Sequence, residues 1–220
     1  MRNIADNDAD KSLRGDQPMT APFKNIGVIG AGQMGCGIAH VSAVAGYKVH
    51  IYDLSKEGIE AGLATINGNL ARQVTNGKLS DEARKQALAL ISGSTDVNDL
   101  APMDLVIEAA TENEEIKRKI YAQICPVLKP EALLATNTSS LSITRLASAT
   151  DRPEQFMGIH FMNPVPVMKL VELVRGIATN EKTFDAATLH MHHQRGERHH
   201  GHHGGKPGQE RPAAPAPAAK

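Results

Sequence analysis

A glycine-rich motif near the amino end of the chain constrains the fold more than any other feature. The residues Gly30-Ala31-Gly32-Gln33-Met34-Gly35 follow a short apolar run and open a segment of small residues that is typical of a helix. Asp53 follows Gly35 by 18 residues and comes at the end of a second apolar run. A strand, a G-x-G-x-x-G turn, a helix and an acid at this spacing predict a dinucleotide-binding βαβ unit.

Each residue type in this motif has a physical reason. Gly30 permits a tight turn, Gly32 lets backbone amides reach a pyrophosphate, and Gly35 lets the helix pack closely on the strand. The helix N-terminus offers unpaired N–H groups to the anion. Asp53 would accept hydrogen bonds from an adenosine ribose and repel a 2′-phosphate, so the motif favours NAD over NADP. The alternative is a glycine-rich turn in an unrelated α/β fold.

Apolar and helical patterns alternate along the middle of the chain. The patterns predict strands at 24–29, 48–52, 104–109 and 132–135, and helices at 34–45, 55–74, 80–91 and 113–127. Continuous apolar strands that alternate with helices are typical of a parallel sheet covered on both faces. The predicted fold class is therefore α/β, a Rossmann-type doubly wound sheet that is mostly parallel.

Composition divides the chain into three parts. Residues 1–22 are polar and patternless, which predicts a flexible leader, and residues 23–188 carry the periodicity of one NAD-binding domain. From Leu189 the composition changes, because seven of the ten histidines lie between His190 and His203. Residues 189–220 have few apolar side chains to bury, so we expect a disordered tail rich in histidine, glycine and proline.

Charge and cysteine content exclude several classes of protein. Lysine plus arginine and aspartate plus glutamate number 24 each, so no basic excess is present to bind nucleic acid. No apolar run approaches the roughly 20 residues that span a bilayer. Cys36 and Cys125 have neither metal-ligand spacing nor the pattern of a disulfide framework. These observations predict a cytoplasmic protein without a metal site that binds neither nucleic acid nor a membrane.

Polar clusters follow two of the predicted strands. Thr111-Glu112-Asn113 comes after the strand at 104–109, and Asn137-Thr138-Ser139-Ser140 after the strand at 132–135. Ligands of open parallel sheets bind beyond the carboxyl ends of the strands, so both clusters fall on the cofactor side. The residue types of Thr111 and Asn113 favour helix capping, whereas Ser139 is a candidate ligand.

A histidine and a glutamate lie on two later segments, 158–162 and 168–174, which we predict to be strands joined by a turn at 163–166. A period of two places Met168, Leu170, Glu172 and Val174 on one face. Glu172 is then a carboxylate in an apolar row, which needs a partner. His160 is the nearest candidate, and an imidazole oriented by a carboxylate makes an effective general base. A structural His–Glu pair and a Glu172 that faces solvent at a sheet edge are the alternatives.

Four motifs together resemble the N-terminal NAD-binding domain of the 3-hydroxyacyl-CoA dehydrogenases, and most closely the bacterial 3-hydroxybutyryl-CoA dehydrogenase branch. The resemblance covers residues 24–188, or 165 of 220. The motifs are Ile26–Ala39, Glu108–Asn113, Asn137–Leu141 and His160–Pro164. Other dinucleotide-binding folds share only the first motif, so the set is specific.

The resemblance implies hydride transfer between a short-chain (S)-3-hydroxyacyl-CoA, such as 3-hydroxybutyryl-CoA, and NAD. The product would be the 3-ketoacyl-CoA, in fatty acid or butanoate metabolism. Two further hypotheses stay open: a catalytically impaired NAD-binding fragment, and a dehydrogenase of a free 3-hydroxy acid.

The resemblance also implies roles for single residues. His160 would take the proton of the 3-hydroxyl, with Glu172 as its acidic partner. Ser139 and Asn163 would position the substrate oxygen and the nicotinamide. Glu112 and Lys117 would contact the nicotinamide side of the cofactor. The rest of the cofactor site would consist of Gly30, Ala31, Gly32, Gln33, Met34, Gly35 and Asp53.

The chain departs from the family near Ala187, where the family pattern stops. Family members continue into a helical domain that closes the acyl pocket and makes the contact of a usual homodimer. We therefore expect a truncated or frameshifted reading frame that lacks the dimer-forming domain, with a histidine-rich metal-binding tail as the alternative. The face that this domain covers should be left apolar.

Overall fold

The computed structural model describes residues 23–196, so the predicted leader and residues 197–220 of the predicted tail lie outside the described residues. Within the described part, one sheet has the strand order β3-β2-β1-β4-β5-β6-β7. All neighbouring strands are parallel except β7, which is antiparallel to β6. The strands are β1 Asn25–Ile29, β2 Lys48–Tyr52, β3 Ile91–Ser94, β4 Leu105–Glu108, β5 Leu133–Thr136, β6 Phe156–Phe161 and β7 Val171–Arg175.

Helices connect the strands, and most of them begin at a capping serine or asparagine. The Ser55 hydroxyl accepts from the N–H of Gly58, and the Ser80 hydroxyl from that of Ala83, each at 3.0 Å. Such caps satisfy N–H groups that have no partner within the helix. The α-helices are α1 Gln33–Val44, α2 Lys56–Thr75, α3 Asp81–Leu90, α4 Glu114–Ile124, α5 Ile143–Ala147 and α6 Glu181–Gln194, with short 3₁₀ turns at Val97–Leu100 and Pro153–Gln155.

The two faces of the sheet bury separate apolar clusters. Leu105 and Ile107 of β4 point into a cluster with side chains of α1, α2, α3 and α6. Val106 points to the opposite face, into a cluster with side chains of α4 and α5. This alternation follows from the two-residue period of a strand. The predicted doubly wound, mostly parallel α/β fold is confirmed.

The sequence patterns do not predict strand β3, and they extend the preceding helix to about Ile91. In the structure, helix α3 ends at Leu90 and the chain continues directly into β3. The reason is that this edge strand has only one large apolar side chain. Its conformation comes from parallel pairing with β2 and from the His50 ring, which hydrogen-bonds the hydroxyls of Ser92 and Ser94.

The predicted start of the tail at Leu189 is wrong. Helix α6 continues to Gln194, and the helix end is followed by Gly196 at a φ of +69°. His190 and Met191 are both buried against the sheet. The prediction failed because a histidine counts as polar in a composition argument, whereas a neutral imidazole can be buried in a core.

Two further findings concern the described residues alone. None of their helices is both long and apolar enough to cross a membrane. No group of three or more histidine, cysteine, aspartate or glutamate side chains in residues 23–196 is arranged to hold a metal ion.

Candidate cofactor and catalytic site

The glycine motif forms the turn between β1 and α1, and two of its glycines have no room for a side chain. Gly30 has a φ of +108°, and a Cβ there would lie 2.7 Å from the carbonyl oxygen of Ala109. A Cβ at Gly35 would lie 1.9 Å from the carbonyl oxygen of Gly30. Gly32 differs, because a Cβ there would meet nothing within 4 Å. The open space beside Gly32 is where a ligand can approach the backbone.

Helix α1 begins without a capping side chain. Of the six α-helices in the described residues, the other five have a serine or asparagine that accepts from a first-turn N–H. The N-cap of α1 is Gly32, which makes no such bond, and the first turn contains no acidic residue. The N–H groups of this turn are thus open to an anion, and the positive end of the helix dipole favours one. This arrangement fits the pyrophosphate of a dinucleotide.

Asp53 lies at the end of β2 beside this turn. One carboxylate oxygen accepts from the N–H of Ala31 at 2.9 Å and the other from the N–H of Ser55 at 2.9 Å. The carboxylate therefore ties the glycine turn to the start of α2 and is half-buried. Each oxygen retains a lone pair, so the position is compatible with the predicted contact to a ribose.

Cys36 is a packing residue, as an ordinary small residue in the first turn of α1 would be. It is buried, and its thiol donates to the carbonyl oxygen of Ala31 at 3.2 Å. Burial, and secondly the charge of Asp53, raise the pKa of the thiol. Cys36 is therefore not a reactive thiolate at neutral pH.

The loops after β4 and β5 are joined by hydrogen bonds. Glu112 is exposed, and one of its carboxylate oxygens accepts from the hydroxyl of Thr138 at 2.7 Å. The side-chain oxygen of Asn137 accepts from the N–H of Phe161 at 2.9 Å, which ties the end of β5 to the end of β6. Asn113 caps helix α4 through the N–H of Ile116, as predicted.

Ser139 and Asn163 both follow the carboxyl ends of strands. Ser139 comes three residues after the end of β5 and Asn163 two residues after the end of β6, and both are exposed. The carboxyl ends of the neighbouring parallel strands β1, β4, β5 and β6 share one edge of the sheet. Both residues therefore lie on the edge that carries the glycine turn.

Lys117 does not lie where the predicted cofactor contact requires. Its side chain is completely buried, and its ammonium donates to both carboxylate oxygens of Glu108, at 2.6 and 2.9 Å, and to the hydroxyl of Thr136 at 3.0 Å. An ammonium has three N–H donors, and all three are used here. A direct contact between Lys117 and a ligand is thus not supported; the lysine lies beneath the site.

His160 and Glu172 face each other on β6 and β7. They are directly paired in the antiparallel register, and Nδ1 of His160 lies 3.4 Å from Oε2 of Glu172. The imidazole is 20% exposed and the Glu172 side chain 54% exposed. Two interpretations of the sequence therefore hold together. The His–Glu pair exists, and Glu172 also faces solvent at a sheet edge.

The predicted apolar row around Glu172 is only partly a strand. Strand β7 begins at Val171, so Met168 and Leu170 precede it, while Glu172 and Val174 share one face. Of eight exposed large apolar residues in the described chain, five lie in this short region: Val167, Met168, Leu170, Val174 and Ile177. These residues support the expectation of an uncovered apolar face, which stays a prediction.

Comparison with known proteins agrees with this geometry. The model of the 3-hydroxyacyl-CoA dehydrogenase NAD-binding domain matches residues 25–197. The chain belongs to the 3-hydroxyacyl-CoA dehydrogenase family. Because the matched part is the NAD-binding domain of that family, the predicted cofactor, NAD, is confirmed.

Relatives named 3-hydroxybutyryl-CoA dehydrogenase match over most of this chain. The protein of Bradyrhizobium diazoefficiens is 60% identical over 169 residues, which cover 77% of this chain and 58% of the relative. The solved (S)-3-hydroxybutyryl-CoA dehydrogenase of Ralstonia eutropha superposes with a TM-score of 0.77 at 44% identity, covering 78% of this chain and 61% of its own. A 3-hydroxyadipyl-CoA dehydrogenase of Escherichia coli is 47% identical, covering 73% of this chain and 34% of its own. The chain thus spans 58% and 61% of the length of these two 3-hydroxybutyryl-CoA dehydrogenases.

Sequence reasoning missed the importance of Glu108. It ends strand β4 and is completely buried, with its carboxylate bound by Lys117, Tyr121 and Thr136. The available signal was a charged residue at the end of an otherwise apolar strand, because such a charge requires a partner.

Proposed function

We propose that this chain provides the NAD-binding and proton-transferring part of a dehydrogenase of short-chain (S)-3-hydroxyacyl-CoA. The observation that carries the proposal is the His160–Glu172 pair, which stands on the same edge of the sheet as the uncapped helix α1. A dinucleotide turn alone would fit many redox reactions. A histidine with a carboxylate partner beside it adds a group that removes a proton from an alcohol.

The residues around the turn suit NAD. The N–H groups that begin α1 would hold the pyrophosphate, and Asp53 would bind the adenosine ribose. Glu112, Ser139 and Asn163, which are exposed on the same edge, would meet the nicotinamide side. NAD, when bound, supplies the hydride acceptor of the reaction. The chain itself supplies binding, orientation and the proton acceptor.

The geometry of the imidazole assigns its tautomer. With Nδ1 facing a carboxylate, Nδ1–H donates to Glu172 and Nε2 retains its lone pair. The contact to Glu172 is the one hydrogen bond of this ring within residues 23–196. Nε2 is therefore available to accept the 3-hydroxyl proton, and Glu172 stabilises the imidazolium that results.

Coenzyme A thioesters are the substrate class that the relatives' names support. The relatives include dehydrogenases of 3-hydroxybutyryl-CoA and of 3-hydroxyadipyl-CoA, which differ in the acyl group and share the thioester. Cys36 and Cys125 are both unpaired thiols, which suits a reducing compartment, and we place the protein in the cytoplasm.

Turnover by this chain alone should be slow. The exposed apolar region and the 54% exposure of Glu172 favour a second candidate, an NAD-binding part that catalyses poorly by itself. Orientation and exclusion of water together lower a barrier by several kcal/mol. Losing about 4 kcal/mol costs about three decades in rate, since each tenfold corresponds to about 1.4 kcal/mol.

The direct test is a steady-state assay of NADH oxidation with acetoacetyl-CoA and, separately, with free acetoacetate. We expect measurable turnover with the thioester only, and a further loss of about 100-fold or more in His160→Gln. NADH affinity should be the same in this variant, because His160 acts on the substrate. Faster turnover of acetoacetate, or an unaffected His160→Gln, would contradict the proposal. NADH binding without any turnover would favour the impaired part.

Cofactor choice is tested at Asp53. In Asp53→Ala, the preference for NADH over NADPH in binding titrations should narrow by about tenfold, because a carboxylate that repels a 2′-phosphate is removed. Glu57→Ala, an exposed acid in the first turn of α2, is a matched control and should leave the preference unchanged. An unaltered ratio in Asp53→Ala would mean that this acid is not at the ribose.

A further inference from the structure

A buried polar cluster lies directly beneath the cofactor edge of the sheet. We define the Glu108 cluster as Glu108, Lys117, Tyr121 and Thr136, all of which are completely buried. One oxygen of Glu108 accepts from Lys117 at 2.6 Å, from Tyr121 at 2.9 Å and from Thr136 at 2.9 Å. Burial, and secondly the charge of Glu108, raise the pKa of Tyr121, so its hydroxyl stays protonated as a donor. No polar atom of the cluster lacks a partner.

The cluster holds the backbone that follows β4. The second oxygen of Glu108 accepts from the N–H of Ala110 at 2.9 Å. Ala109 and Ala110 in turn form the wall against Gly30, where an added Cβ would lie 2.7 and 2.9 Å from their backbone atoms. The carboxylate thus fixes the segment that contacts the dinucleotide turn and leads to Glu112.

The same cluster holds the backbone that follows β5. Thr136 is the register partner of Glu108, and it both donates to the carboxylate and accepts from Lys117. Three residues later the chain reaches Ser139. The loops of Glu112 and Ser139 therefore start from one ion pair, and above it the Thr138–Glu112 hydrogen bond joins them again.

We propose that the Glu108 cluster positions these two loops for the cofactor, with Lys117 acting through Glu108 and Thr136 and not by contact with NAD. The proposal rests on the proposed NAD site. A buried ion pair contributes little net stability, because apolar residues of similar volume often stabilise a fold equally well. A fully satisfied polar network instead specifies one arrangement of the segments it joins. The segments joined here carry two of the residues assigned to the nicotinamide side.

Thr136 provides the most specific test, because one substitution removes its hydroxyl and another retains it. Thr136→Val removes the hydroxyl and keeps the β-branched volume, whereas Thr136→Ser keeps the hydroxyl. Lys129→Met is the matched control, since Lys129 pairs with Asp104 at the other end of β4. Two measurements on the full chain apply to each variant: NADH titration by fluorescence, and amide hydrogen exchange across residues 109–113 and 137–141.

We expect Thr136→Val to bind NADH about tenfold more weakly, the size expected for a lost hydrogen bond to a charged group. Thr136→Ser should stay within about twofold of the parent, since rescue by a hydroxyl is what positioning requires. Exchange in the two loops should rise in Thr136→Val beyond any rise in the rest of the chain. Lys129→Met should change neither readout.

Two outcomes would overturn the inference. One is unchanged NADH affinity in Thr136→Val, and the other is loop exchange that rises no more than the chain average. If the parent chain binds no NADH, the proposed function fails. The exchange measurement still decides whether the cluster orders the loops, since it needs no ligand.

Discussion

The two ends of strand β4 carry similar ion pairs that do different things. At the amino end, Asp104 accepts from the N–H groups of Lys24 and Asn25, at 2.8 and 2.9 Å, and pairs with Lys129. Partial burial acts to raise the pKa of Asp104, but the hydrogen bonds from Lys129 and from the two amides outweigh it and lower the pKa. This pair is partly exposed, with side chains 30% and 21% accessible. Its role is to join the starts of β1 and β4.

Arg152 continues the pattern at the amino edge. Its buried guanidinium donates to the carbonyl oxygens of Lys129 and Ala132, at 2.8 and 2.9 Å, and its Nε donates to Asp151. Asp104 and Arg152 at this edge thus satisfy backbone atoms.

The carboxyl edge is organised in the opposite way. Its ion pair, Glu108 with Lys117, is completely buried, while the polar side chains above it, Glu112, Ser139 and Asn163, are exposed. The first turn of α1 has no side-chain cap. A binding site on a parallel sheet requires a rigid buried layer that supports exposed polar groups. Here the Glu108–Lys117 pair is the layer, and the exposed side chains and the first-turn N–H groups of α1 are the polar groups. Ion pairs of the same charge composition at the two ends of β4 therefore have different energetic and functional roles.

The largest effect on stability is expected from a substitution that breaks the buried Glu108–Lys117 ion pair. Lys117→Met should lower the free energy of unfolding by about 3–5 kcal/mol, because it leaves the Glu108 carboxylate buried without a cation. Lys129→Met should lower it by less than about 1 kcal/mol, because its partner is partly exposed to water. Urea unfolding of both variants measures the difference.

A double variant provides the control for that experiment. In Lys117→Met with Glu108→Gln no charge is left buried, so much of the lost stability should return. Equal losses in Lys117→Met and Lys129→Met would show that burial does not distinguish the two ends of β4.

The strands that are mostly apolar could be predicted from the sequence. Strands β1, β4 and β5 are mostly apolar, and helices α2, α3 and α4 have recognisable serine or asparagine caps. Strand β3 was not readable, because Ile91 is its single large apolar residue and pairing with β2 supplies the rest.

The positions of some candidate site residues could also be predicted, for related reasons, while their roles stay predictions. Gly30, Gly35, Asp53 and His160 belong to motifs whose chemistry is local, so their positions could be predicted. The partner of Lys117 could not, because an ion pair across a strand and a helix leaves no periodic trace in the sequence.

The second expected effect concerns the amino edge, where His190 packs between two aromatic rings. Its ring centroid lies 5.4 Å from that of Phe23 and 4.6 Å from that of Tyr47, the residues that precede β1 and β2. Within residues 23–196 neither ring nitrogen makes a hydrogen bond, and Gln194, one turn further along α6, is the polar neighbour that favours the charged form. Burial lowers the pKa of His190 to about 4.

The sign of the pH dependence follows from that direction. The folded state disfavours the imidazolium, so the contribution of His190 to stability is complete above the unfolded pKa of about 6.5. It is lost as the pH falls from about 6.5 towards 4, and it amounts to about 3 kcal/mol. Urea unfolding at pH 7 and pH 4.5 should show this loss in the parent chain and a much smaller loss in His190→Leu. His193, whose charge also lowers the pKa of His190, is retained in both proteins. Parallel losses would mean that His190 is not buried as a neutral ring.

The smallest expected effect on stability is that of a substitution at Gly32, which should stabilise the fold and weaken NADH binding. Gly32 has a φ of −77°, which any residue adopts, and its Cβ position is open. Gly32→Ser should raise the free energy of unfolding by a few tenths of a kcal/mol, because serine caps a helix slightly better than glycine. NADH affinity should fall by about tenfold or more, since the new side chain occupies the space of the pyrophosphate and its hydroxyl takes an N–H from the anion. Gly68→Ser in α2, also at an open Cβ position, is the control that should leave NADH affinity unchanged. If Gly32→Ser binds NADH as tightly as the parent, the uncapped turn of α1 is not where the pyrophosphate binds. The contrast between the two edges of the sheet would then not support a cofactor site at the carboxyl edge.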